Sequence, residues 1–144
     1  MDGSCTIIWT VISGVLVFVL SQLFIEYYLK PIQDYKALKA KIAYTLVYYA
    51  CYYCNPQSSD DKNGMQKESS NELRKLASET MAFAQIRPKF NLSIPSKDDL
   101  LDVKSLLILL SNSCFSDGKA LENHSTQKKI FNTLNIEKYS QDKE

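Results

Sequence analysis

The chain has 144 residues, of which 17 are basic and 16 are acidic, so its formal net charge is +1 at neutral pH. An extended nucleic-acid-binding surface needs a clear basic excess, and this balance argues against one. We therefore expect no direct nucleic-acid binding. Without a membrane anchor, about 115 residues remain, which suits one small soluble module.

The N-terminal segment from Thr6 to Ile25 contains twenty residues without a charge. Twenty helical residues span about 30 Å, roughly the hydrocarbon thickness of a bilayer. A core helix of a soluble domain rarely runs this long without a charge. A cleaved signal peptide would need a basic n-region, which residues 1–5 lack. The segment predicts a retained transmembrane helix, with the lipid bilayer as its partner.

Charges beside this segment predict its orientation. Only Asp2 precedes it, whereas Lys30, Lys36, Lys39 and Lys41 follow it. Positive residues are retained on the cytoplasmic side of a membrane. We therefore expect the N-terminus outside and the C-terminal domain in the cytoplasm.

One face of the predicted span has small and hydroxyl-bearing residues: Thr10, Ser13, Gly14, Val17 and Ser21. Such residues at steps of three and four let helices approach closely in lipid, where association cannot rely on the hydrophobic effect. The face indicates self-association, or the lining of a pore built from several copies. Ordinary tolerance of Ser and Thr in a lone helix is the alternative.

Periodicity predicts that the remainder is also helical, since no stretch alternates with period two for long enough to form a sheet. We divide the chain into an anchor (1–30), a tyrosine-rich helix (31–54), a flexible linker (55–70), a helical bundle (71–136) and a polar tail (137–144). The predicted fold class is all-α, with a single N-terminal transmembrane helix continuing into a cytosolic helical bundle.

Two features mark the tyrosine-rich helix. Pro31 predicts a kink near the membrane surface, because proline removes a helix hydrogen bond. The apolar run Ile42–Tyr53 has five tyrosines and is too short to cross a bilayer. We expect it to be buried among protein neighbours, and a helix lying on the membrane surface is the alternative.

Capping signals predict three further helices. The first opens with a capping box at Ser69–Glu72 and stops at Arg87-Pro88. The second is capped by Ser96, runs to Asp117-Gly118 and, with five consecutive apolar residues, is expected to be central. The last helix is expected from about Ser125 to Leu134.

Residues suited to catalysis or metal binding are few. Cys51 and Cys54 have the C-x-x-C spacing, but no second pair completes a zinc site, so we expect no metal and interpret the pair as packing. There is one histidine and no glycine-rich phosphate loop, and we expect no cofactor. Lys119 and His124 are the only weak catalytic candidates.

Several short motifs together resemble a known group of proteins. They are Pro31-Ile32-Gln33, the helix ending Cys54-Asn55-Pro56, the segments Leu73–Ala77 and Leu110–Ser113, and Ile94-Pro95-Ser96. This pattern is similar to small bacterial membrane proteins such as the accessory membrane protein of type VI-B CRISPR loci. The resemblance implies an oligomeric pore in the bacterial inner membrane, with a HEPN-like cytosolic part, that enhances antiviral defence by an RNA-guided nuclease.

HEPN ribonucleases have an Arg-x4-6-His motif, and here Lys119-x4-His124 has lysine in place of the arginine. Lysine cannot offer the two-pronged contact of a guanidinium to phosphate, so the resemblance implies a structural remnant rather than an enzyme. A different hypothesis also stays open. The anchor would then only tether a sensor or scaffold, whose bundle binds a nuclease or a nucleotide signal.

Overall fold

A computed structural model describes residues 2–54, 64–88, 93–116 and 120–136, with side chains from Ile7 onward. Its helices are α1 (Asp2–Phe24), a π-helical segment (Ile25–Leu29), α2 (Lys30–Tyr48), α3 (Ala50–Cys54), α4 (Met65–Ile86), α5 (Lys97–Ser113) and α6 (Ala120–Thr133). No strand occurs in the described ranges, so the all-α class is confirmed for them. The HEPN-like arrangement stays a prediction.

The helix α1, the π segment and α2 follow one another without a break, and Pro31 lies in the first turn of α2. The backbone N–H of Lys30 donates to the carbonyl of Ile25, five residues earlier, which is the hydrogen-bond spacing of a π-helix. A proline ring would collide with the carbonyl four residues earlier, which is that of Tyr27 inside the π segment. The distortion expected near Pro31 is thus a π-helical segment directly before it.

The tyrosine-rich helix is interrupted once, which the sequence did not predict. Tyr49 leaves helical geometry, with φ −96° and ψ 12°, between the end of α2 and the start of α3. Its side chain is buried, and its hydroxyl donates to Glu68 Oε1 at 3.0 Å. Burial, together with this bond, raises the pKa of Tyr49 to about 12, so the hydroxyl keeps its proton at neutral pH.

The helices α2 to α6 share one apolar core. Its largest fully buried apolar side chains are Ile42, Leu46, Tyr53, Leu73, Leu76, Leu100, Val103, Leu107, Leu110, Ile130 and Leu134. Helix α5 contacts α3, α4 and α6, but α3 and α4 each contact at least as many helices, so its central position stays a prediction. It runs antiparallel to α4, since Lys97 Nζ bonds Gln85 Oε1 at 3.2 Å at one end and Arg74 bonds Asn112 at the other.

One predicted cap is confirmed and one is wrong. Asp99 N–H donates to Ser96 Oγ at 3.1 Å and Ser96 N–H donates to Asp99 Oδ2 at 3.0 Å, a reciprocal capping box for α5. Helix α4, however, begins at Met65 rather than at Ser69. Ser69 is buried inside the helix with its Oγ 3.1 Å from Cys114 Sγ, a tertiary contact that its spacing could not reveal.

Because α4 begins at Met65, the last part of the predicted linker 55–70 is helix. Met65 packs against the core, which extends the helix upstream. Residues 55–63 and the predicted tail 137–144 lie outside the described residues.

Two helix boundaries in the C-terminal half also differ from the prediction. Helix α5 ends at Ser113, and Asp117-Gly118 lies outside the described residues. Helix α6 begins at Ala120 rather than near Ser125. Its inward face begins with Asn123, which is buried and donates Nδ2–H to the Tyr53 carbonyl at 2.6 Å. A polar residue in the core breaks the apolar pattern by which the helix start was predicted.

Candidate functional site

Among the described residues, one helix is long and apolar enough to span a membrane; it lies at the N-terminus and continues to Tyr48. Every residue from Ile7 to Lys30 is exposed, and Phe18 for example keeps 64% of its surface. A core helix of a soluble domain would bury such side chains, because burial of apolar area stabilises by roughly 25 cal/mol per Å². The described part of the chain therefore leaves α1 uncovered.

The five residues predicted as a packing or pore face all lie on α1, away from the bundle. They are Thr10, Ser13, Gly14, Val17 and Ser21, spaced so that they share one side of the helix. A Cβ added at Gly14 would meet no atom within 4 Å. The face is therefore open, and a neighbouring helix can reach the Gly14 backbone.

Two hydroxyls on this face already have hydrogen-bond acceptors within α1. Ser13 Oγ donates to the Thr10 carbonyl at 2.9 Å, and Ser21 Oγ donates to the Val17 carbonyl at 2.7 Å. Serine commonly bonds its own helix in this way. Both hydroxyls can therefore face lipid or a neighbouring helix without leaving a donor unsatisfied.

The weak catalytic candidates do not form a described pair. Lys119 lies outside the described residues. His124 is exposed on α6 and makes no hydrogen bond or ion pair with a described residue. The inward position beside it is occupied by Asn123. The expectation that Lys119 and His124 are a structural remnant rather than a ribonuclease pair stays a prediction.

The three described cysteines are free thiols in different surroundings. Cys51 is exposed, Cys54 is half-buried and Cys114 is buried. Burial raises the pKa of the Cys54 thiol and of the Cys114 thiol, which lowers their thiolate fractions. Among the described residues no group of three or more His, Cys, Asp or Glu side chains is placed to hold a metal ion.

An exposed aromatic stripe lies on α2, formed by Tyr44, Val47 and Tyr48. Tyr44 is 66% exposed, and its ring stacks on that of Tyr48 with centroids 5.6 Å apart. Ile42 and Leu46 are buried in the core. The prediction that the whole run Ile42–Tyr53 is buried is therefore wrong for one side, because a single core covers only one face of the helix.

Sequence reasoning also missed a polar cluster where α4 packs on α5. Arg74 Nη2 donates to Asn112 Oδ1 at 3.0 Å, and Arg74 Nε donates to Ser111 Oγ at 3.4 Å. The segments Leu73–Ala77 and Leu110–Ser113 meet here, although nearly forty residues separate them in the chain. A non-local contact of this kind leaves no periodic signal.

Comparison with known proteins identifies no family for this chain. No protein-family model, curated protein or solved structure matches it.

Proposed function

We propose that this protein is a self-associating membrane effector, an oligomeric pore or a membrane-perturbing assembly that enhances RNA-guided antiviral defence. The observation that supports self-association best is the open face of α1, where the Gly14 backbone is accessible along an entirely uncovered helix. In lipid, helices associate through close van der Waals packing, and small residues permit it.

A second uncovered surface extends the proposed contact beyond the membrane. The aromatic stripe of Tyr44, Val47 and Tyr48 lies on α2, which continues from α1 through the π segment. Aromatic side chains are enriched in protein interfaces because they bury a large area at low entropic cost. Copies packed side by side through α1 would place these rings near one another or near the lipid headgroups.

The proposed setting is the bacterial inner membrane, with the N-terminus outside and the bundle in the cytoplasm. Lys30, Lys36 and Lys41 are exposed just after the span, as the positive-inside rule requires. The RNA-guided nuclease partner and the antiviral context are supported by the motif resemblance alone. The proposed activity needs no cofactor and no enzyme chemistry.

The molar mass of the full chain in detergent tests self-association directly. We expect sedimentation equilibrium, corrected for bound detergent, to give a multiple of the monomer mass of 16.4 kDa. A monomer at all protein concentrations would contradict the proposal, since neither a pore nor a ring can form from one span.

A tethering function is the second candidate, and one observation favours it. The hydroxyls of Ser13 and Ser21 bond within α1, so the span requires no protein partner. The bundle would then act as a sensor or scaffold at the membrane. Replacement of residues 1–30 by an unrelated monomeric transmembrane helix separates the two functions: retained defence activity supports tethering, and lost activity with an intact bundle supports the pore.

Labelling of Cys51 tests the orientation. This thiol is exposed, whereas Cys114 is buried and Cys54 is half-buried with a raised pKa. In a Cys5→Ser background, we expect a membrane-impermeant maleimide to modify Cys51 rapidly in inverted inner-membrane vesicles and not in intact spheroplasts. Rapid modification in spheroplasts alone would place the bundle outside and contradict the orientation.

A further inference from the structure

The groove between α4 and α5 has the composition of an anion site. It encloses about 530 Å³, and its polar lining comes from Arg74, Ser78, Lys104 and Asn112. Both ionisable groups in this lining are basic, and no carboxylate lines it. Ligand pockets commonly measure a few hundred Å³ and present a few convergent polar groups, so the size is suitable for a small molecule.

Arg74 is oriented without being neutralised. Asn112 and Ser111 accept hydrogen bonds from Nη2 and Nε, and Ser111 is itself held by donating to the Ile108 carbonyl at 2.7 Å. Arg74 forms no ion pair with a carboxylate of the described residues. A guanidinium has five N–H donors, so several remain for a ligand.

Nearby carboxylates on α4 have other partners. Glu79 pairs with Lys41 at 2.6 Å, and Glu72 lies 3.5 Å from Lys75. Glu68 accepts the hydrogen bond of Tyr49. These carboxylates of α4 therefore do not neutralise the positive charge of Arg74 and Lys104 in the groove.

Lys104 supplies the second charge from α5. It is half-buried and has no hydrogen bond or ion pair with a described residue. Asp102 lies two residues earlier, which places it about 200° away around the helix. Ala77, Met81 and Ile108 form the apolar part of the lining. The groove thus combines two cations with an apolar wall.

We propose that this groove binds a small phosphate monoester with an attached apolar group, such as a nucleotide. The planar guanidinium suits a phosphate by a two-pronged contact, and the ammonium of Lys104 adds a point charge. The apolar wall would contact the base or another apolar part of the ligand. This proposal is independent of self-association through α1, because both contributing helices belong to one copy.

Calorimetric titration of the full chain in detergent tests the site, with AMP, adenosine and short-chain phosphatidic acid as probes. We expect AMP to bind in the micromolar to millimolar range and adenosine not to bind. Arg74→Gln and Lys104→Gln should each weaken AMP binding about tenfold or more, because each removes a charge-assisted contact. Lys75→Gln is the matched control, since this neighbouring exposed lysine does not line the groove.

Binding of phosphatidic acid alone, with the same dependence on Arg74 and Lys104, would support the phosphate site and assign its source to a lipid headgroup. The proposal is overturned if no phosphate probe binds, if adenosine binds as well as AMP, or if both variants bind like the parent. If Arg74→Gln lowers the stability of the bundle, the binding measured for Lys104→Gln decides whether the groove is a phosphate site. Lys104 has no hydrogen bond or ion pair with a described residue, so its substitution removes no such contact from the fold.

Discussion

Gly14→Leu should abolish self-association and activity while leaving membrane insertion intact. Leucine is favoured in the bilayer core, so insertion should not suffer. The new side chain meets no atom within 4 Å in one copy, so the fold of the monomer is not disturbed. It would instead obstruct a neighbouring helix that packs on Gly14, or narrow the lumen if the face lines a pore.

Val19→Leu is the control for this experiment. Val19 is exposed on α1 and lies outside the small-residue face, so an added methylene there should be silent. Both variants are measured by oligomer mass in detergent and by a membrane-potential assay in cells. If Gly14→Leu behaves like the parent in both measurements, the face does nothing beyond anchoring and tethering becomes the preferred function.

Leu107→Ala should lower the free energy of unfolding of the bundle by about 3 kcal/mol, which is typical for truncation of a buried leucine. Leu107 lies on α5 and is 0% exposed. Its removal leaves a cavity that the surrounding helices can close only in part. Chemical denaturation of the full chain in detergent, followed by circular dichroism, measures the change.

Leu109→Ala is the matched control, because this leucine is on the same helix and 43% exposed. This substitution should lower the free energy of unfolding by well under half as much, because folding removes less apolar surface from water at an exposed position. Equal costs for the two variants would contradict the inward orientation of Leu107 and the outward orientation of Leu109.

Local signals in the sequence determined several features correctly. The uncharged run Thr6–Ile25 was sufficient to predict a helix long and apolar enough to span a membrane, because bilayer thickness and helical rise depend on no neighbour. The N-cap at Ser96 is confirmed for the same reason, since the backbone N–H that its side chain accepts lies only three residues away, at Asp99.

The helix starts at Met65 and Ala120 could not be derived from such signals. Near each of these starts, a polar side chain is buried because it bonds a residue that is distant in the chain. Ser69 bonds Cys114 and Asn123 bonds Tyr53, so residues that normally mark helix ends or surfaces are buried instead. A periodic pattern records which face is apolar and holds no information about such partners.

The proposals also use two surfaces outside the predicted span, the aromatic stripe on α2 and the groove between α4 and α5. Neither surface could be identified without the tertiary structure. The run Ile42–Tyr53 is apolar on every side, and only the packing of the bundle determines that Ile42 and Leu46 face inward while Tyr44 and Tyr48 stay outside. Likewise, Arg74 and Lys104 share a groove only because α4 and α5 pack antiparallel. Sequence alone determined the long apolar N-terminal helix and the helical class, since both follow from local composition. Which side chains meet is decided by packing between segments distant in the chain.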